Sequence, residues 1–146
     1  MTHRILAVIG TAPLSLEKAR KHLNILPDEN SPPSHPDDDV IQDAINDAVA
    51  WAENYLLRSI TPKRYEAFFD SLPTKACFPR LPFAAPLMAL ESIHYLDQSG
   101  VEQVLDSSTY VVLSRMSTAA FDLKIGQTWP ASSVGPESVR VVYAAA

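Results

Sequence analysis

A change of period at Pro62 constrains this chain more than any other feature. Before that proline, apolar residues at Ile41, Ala44, Ile45, Ala48, Ala52, Tyr55 and Leu56 recur at helical spacing. After it, short β-branched and aromatic runs alternate with turn residues as far as the C-terminus. This order predicts an α+β fold, with N-terminal amphipathic helices packed against a small antiparallel β-sheet or barrel-like C-terminal part. At 146 residues a single domain is expected, helical over 1–60 and β-rich over 63–146, with a proline-rich loop at 27–36.

The helical half can be read in detail. Arg4 to Ile9 is an extended aliphatic arm suited to an edge strand, and Pro13 stops it. Ser15 is placed as an N-cap, with Glu17 in the first turn where the helix dipole favours an anion. Leu16, Ala19 and Leu23 then predict a short helix ending near Ile25, whose other face carries Lys18, Arg20, Lys21 and His22. Residues 27–36, PDENSPPSHP, have no period and read as a loop. The acidic triplet Asp37, Asp38 and Asp39 opens a second helix running to Leu57, about 27 Å at 1.5 Å per residue. Trp51 lies off its main stripe, so it marks a second buried face or a contact with a partner. Arg58 and Ser59 stand at the exit, and Pro62 blocks continuation.

In the β-rich half, Tyr65 to Asp70 reads as a strand, and Cys77 to Pro82 is too rich in proline for anything but an edge. Leu90 to Leu96 alternates, with Ile93 and Tyr95 on one face and His94 and Leu96 on the other. Asp97 to Gly100 is a turn and Val101 to Leu105 returns, the clearest hairpin in the chain. Thr109 to Leu113, Ala120 to Ile125 and Ser138 to Tyr143 complete the short strands.

Chemistry is poorly signalled. A net charge of -5 disfavours a protein that grips nucleic acid by neutralising phosphates. Four glycines leave little for phosphate-cradling loops, and no serine sits in a nucleophile elbow. The single cysteine, Cys77, cannot form an internal disulfide, which fits the cytosol, and reads as a buried inert thiol more than a nucleophile. The apolar run Ile5 to Ile9 is too short for a secretory signal, and no segment approaches a membrane span. The acidic triplet lacks calcium-loop spacing and is explained by helix capping. His3, His22, His35 and His94 are scattered without zinc spacing. No cofactor and no metal are therefore expected. Glu66 with Asp70 can in principle do acid–base work, but carboxylates on a strand usually face solvent. Trp51 and Trp129 are either interface anchors or core, and the basic face of the first helix is by default solvated.

The order of motifs is itself informative. Leu14-Ser15-Leu16-Glu17-Lys18-Ala19-Arg20-Lys21-His22-Leu23 resembles the opening of head–tail connector (adaptor) proteins of long-tailed double-stranded DNA phages and prophages. The likeness continues through Asp38 to Ile41, Ala50 to Tyr55, Phe78 to Pro82, Ser92 to Asp97, Gly100 to Glu102, Tyr110, Gly126 to Pro130 and Val139 to Tyr143. Two features depart from it. The 27–36 loop is longer and richer in proline, and members usually continue into C-terminal helices that help engage the portal, whereas this sequence stops at Ala146. Either a shortened chain or a minimal member is expected on that ground.

The resemblance implies a non-enzymatic virion protein that assembles with itself into a ring of about a dozen copies. Its implied partners are the portal and a downstream neck or tail protein, with DNA passing through the ring and no membrane. It implies a location in the virion, and in host cytoplasm during assembly. The candidate subunit-interface residues are Trp51, Tyr55, Arg58 and Trp129. Competing readings are another phage neck protein, a non-viral peptide- or sugar-binding module, and a small enzyme using Glu66, Asp70 or His94.

Overall fold

The last strand made is the middle of the sheet. In the computed structural model, which describes residues 2–25, 34–74, 79–115 and 118–146, Val139–Ala145 lies at the centre of five strands. Its alternation explains why: Val139, Val141, Tyr143 and Ala145 point to one face and are wholly buried. In chain order the elements are β1 (Thr2–Val8), α1 (Leu16–His22), α2 (Asp38–Leu56), β2 (Lys63–Phe69), β3 (Leu87–Leu96), β4 (Glu102–Val104), β5 (Tyr110–Arg115), β6 (Thr118–Leu123) and β7 (Val139–Ala145). The large sheet has the order β1-β2-β7-β3-β4, every pair antiparallel. The N-terminal arm thus joins the sheet as an edge strand, paired with β2.

A hairpin, β5–β6, forms a separate two-stranded sheet and closes the core face of the large one. It is pinned by a bridge from Arg80 to Ala120 and by the Leu81 N–H donating to the Ala119 carbonyl at 2.9 Å. Phe121 is wholly buried, with its ring edge-on to Phe69 at 6.4 Å, Tyr110 at 6.5 Å and Trp129 at 6.4 Å. Burial of a side chain this size contributes about 1.5–3 kcal/mol, and edge-to-face rings add to it. Ile93 on β3 is equally buried, and Tyr95 packs on the same cluster, so the predicted alternation holds.

The helices keep a small core of their own. Ala19 of α1 packs with Ile41 and Ile45 of α2, flanked by Ala12, Leu16, Ile25 and Val49, and this cluster is separate from that of the sheet. Ser15 caps α1 as predicted, its Oγ accepting from the Lys18 N–H at 3.3 Å. Capping of α2 differs from the expectation. Asp37 holds the N-cap position but its side chain makes no capping bond. The carboxylate that works is Asp38, which accepts from the His35 N–H at 2.8 Å and from Arg20 Nε at 2.6 Å. Arg20 is therefore tied across to α2, not part of a merely solvated basic face.

α2 meets the sheet through its polar side. The buried Glu53 carboxylate accepts the Ile60 N–H at 2.9 Å, the Thr61 N–H at 3.0 Å and the Lys63 ammonium, fastening the helix to the start of β2. Gly10 passes so close to Pro62 that an added Cβ would lie 2.5 Å from the proline ring. Ile9 and Gly10 both donate to the Pro62 carbonyl there. Cys77, Phe78 and residues 27–33 of the proline-rich loop lie outside the described residues.

Candidate assembly surface

The helical stripe read from the sequence is only partly covered. Ile41 and Ile45 are buried and Ala52 half-buried, whereas Ala44, Ala48, Tyr55 and Leu56 are exposed. Val40, Ala44, Ala48, Trp51 and Tyr55 follow one another at helical spacing, all exposed. They make an apolar stripe of about 22 Å at 1.5 Å per residue. Trp51 is 68% exposed and Tyr55 75%, and their rings stack at 5.4 Å with 8° between planes. Trp51 therefore has no core role within one copy. Bare aromatic area of this kind is what interfaces are built from, because it is large, rigid and costs little entropy to order.

The stripe opens at its N-terminal end into a groove of about 570 Å³ between the two helices, with Leu14, Ala19, Leu23, Val40, Ile41 and Ala44 among its lining residues. Nothing in that lining can do acid–base or metal chemistry except His22. Of the other candidates, Arg58 is exposed just past α2, its backbone bridged to Phe83 and its N–H donating to the Glu53 carbonyl at 3.2 Å. Trp129 is half-buried against Phe121 and contributes to the sheet core, apart from the α2 stripe.

Behind the sheet lies a charged row that sequence reading missed. Glu66 is 1% exposed, not solvent-facing as a strand carboxylate was expected to be. Its two oxygens are held by Arg4 of β1 and, at 3.1 Å, by Arg140 of β7. Arg140 reaches on to Glu102 of β4 at 2.7 Å. Burial pushes the Glu66 carboxyl up, but the bonds from Arg140 and Arg4 outweigh it and hold it below the usual range. A general base needs the opposite, a pKa brought up towards neutrality. Asp70 stands beyond the end of β2, exposed, accepting the Glu137 N–H at 3.2 Å. His94 lies on the Glu66 face, with Nε2 3.0 Å from Ser92 Oγ and Nδ1 3.2 Å from Glu102. Glu66 is engaged by two guanidiniums and Asp70 lies past the end of β2, so the pair does not stand as two bases on one strand face. Among the described residues no group of three or more His, Cys, Asp or Glu is placed to hold a metal ion, and no helix is long and apolar enough to cross a membrane.

No protein-family model matches the chain, and no curated protein does either. Solved structures match along its whole length. A chain from the neck of an empty gene transfer agent particle with C6 symmetry superposes with a TM-score of 0.79 at 19% identity, over 99% of this chain and 71% of that one. A chain from the virion of the native gene transfer agent particle gives 0.74 at 19% identity, with the same coverage. One from the neck of the native particle with C12 symmetry gives 0.71 at 17% identity, over 99% of this chain and 69% of its own. At such identities the likeness is one of fold: this chain is built like chains of the gene transfer agent neck and virion.

Proposed function

We propose that this chain is a structural protein of a phage-like virion neck: a head–tail connector, folded as one domain over 1–146. About a dozen copies form a ring between the portal and the next neck or tail protein, and DNA passes through the opening. One observation carries the reading, namely a shared fold over 99% of the chain with chains of particle necks that have C6 and C12 symmetry. The order of sequence motifs resembling connectors supports it independently. So does the bare α2 stripe, since a ring needs a surface that is apolar in one copy and covered in the assembly.

In this reading Trp51 and Tyr55 are the anchors of the subunit interface, Arg58 stands at its rim, and Trp129 braces the sheet behind it. The protein performs no reaction and needs no cofactor. It works in the virion and passes through host cytoplasm during assembly. Cryo-EM and native mass spectrometry of the protein, alone and with its cognate portal, test the reading. Rings of about twelve copies are expected on the portal. Monomers under both conditions overturn it.

A further inference from the structure

Among the described residues the large sheet has an open edge on each side, and the two edges are chemically opposite. β1 is exposed along all seven residues, carries no proline, and presents Ile5 at 54% and Val8 at 61% exposure. β4 is exposed along its three residues, with Val101 at 54% and Val104 at 65% beside and on it. Long unprotected edge strands invite pairing with another chain, and proteins ordinarily blunt them. The charged row behind the sheet runs from one edge to the other: Arg4 on β1, Glu66 on β2, Arg140 on β7, Glu102 on β4. It alternates in sign. It ends in a cation that is 66% exposed on β1 and a carboxylate that is 51% exposed on β4.

We propose that in the assembled protein the β4 edge of one copy docks on the β1 edge of the next, placing Glu102 of one beside Arg4 of its neighbour. The inference rests on the ring reading above and names the seam that closes it. Charge selects the pairing. β1 contains no acidic residue and β4 no basic one, so a two-fold contact of either edge with itself gathers like charges only. A head-to-tail contact continues the alternating row from copy to copy. Strand direction agrees with it. The successive antiparallel pairs leave β1 and β4 pointing the same way, so neighbours related by a modest rotation meet as a parallel pair. A seam limited by the three residues of β4 has few hydrogen bonds, so it holds only together with the α2 stripe, and exposed apolar side chains at both edges add to it.

Cross-linking tests the seam. Cys77→Ser removes the native thiol, and Leu6→Cys with Val104→Cys then places one thiol on each edge, at exposed positions that face each other when Glu102 sits beside Arg4 in a parallel pair. A short bismaleimide is applied to rings assembled on portal, with ring formation checked in the same sample by electron microscopy. The expected result is a ladder of covalent multimers reaching the ring number for the double-cysteine chain. Each single-cysteine chain should give monomers. Dimers from a single-cysteine chain, or rings that yield no ladder, overturn the seam while leaving the ring reading intact. An absence of rings overturns both. Raising salt should reduce the ladder several-fold, since Arg4 and Glu102 are exposed enough to be screened.

Discussion

Glu66 keeps its charge in a place where carboxylates are rarely found because two guanidiniums close on it from neighbouring strands. Glu66→Gln leaves Arg4 and Arg140 facing each other across a neutral amide. The expected loss of stability is about 2–4 kcal/mol, toward the low end for a broken buried pair because water still screens Arg4. Urea unfolding at pH 7 checks it. The pH dependence follows from the same groups. Burial raises the carboxyls of both Glu66 and Glu53; bonds from Arg140 and Arg4 in one case, and from Lys63 and the Ile60 and Thr61 amides in the other, more than offset it. Both are lowered in the folded state, so the unfolded chain binds more protons and stability rises with pH through this window. Their contribution is complete above the ordinary glutamate value of about 4.3 and is lost as pH falls through the folded values. Urea midpoints should therefore be flat near neutrality and drop below about pH 4.5. Glu66→Gln should show a shallower fall, and an identical slope would mean that the carboxylate is not held low. None of this was readable along the chain, since the partners of Glu66 lie 62 and 74 residues away.

Elements were more legible than the contacts between them. β3 and its turn into β4 are spelled out by the alternation from Leu90 to Leu96 and by Asp97, whose carboxylate takes the Ser99 and Val101 N–H groups at 2.8 and 3.0 Å. α1 is announced by Ser15, because a capping serine is a local device. The failure at Asp37 has a cause that is not local. Arg20 of the other helix draws Asp38 into service, and no rule about helix starts contains that partner. The strand order was not legible at all, for β7 comes last in sequence and pairs with β2 and β3. Two substitutions separate core from surface. Phe121→Ala empties the centre of the hairpin contact and should cost about 3–5 kcal/mol, seen as a lower urea midpoint. Trp51→Ala removes a ring that is 68% exposed, so stability should stay within about 0.5 kcal/mol of the parent. Assembly should suffer by about 2 kcal/mol or more per interface if Trp51 anchors it, and native mass spectrometry would then show rings dissolving into monomers. A Trp51→Ala chain that forms rings at unchanged concentration removes α2 from the interface.

For the whole molecule the decisive quantity is charge. The chain carries -5, and five of its twelve basic residues are held by carboxylates of the same copy: Arg20 by Asp38, Lys63 by Glu53, Arg64 by Glu91, Arg4 and Arg140 by Glu66. A ring of such copies multiplies the negative field around its opening. That is unfavourable for a protein that must hold DNA and suitable for one through which DNA must slide, since each cation facing a phosphate would release counterions and slow passage. The prediction is that assembled rings do not retain linear duplex DNA at physiological salt. Ordinary non-specific binders have a Kd of about 10⁻⁴–10⁻⁶ M, and a mobility-shift titration reaching 10⁻⁴ M should show no complex here. Lowering the salt should produce no complex either, because the slope against salt reflects neutralised phosphates and each copy brings a net charge of -5 to the duplex. A complex at low micromolar protein, weakening steeply with salt, would require a basic surface created by assembly itself. The head-to-tail seam would then be the place to look, because docking Glu102 on a neighbouring Arg4 redistributes the exposed charges that the isolated chain presents.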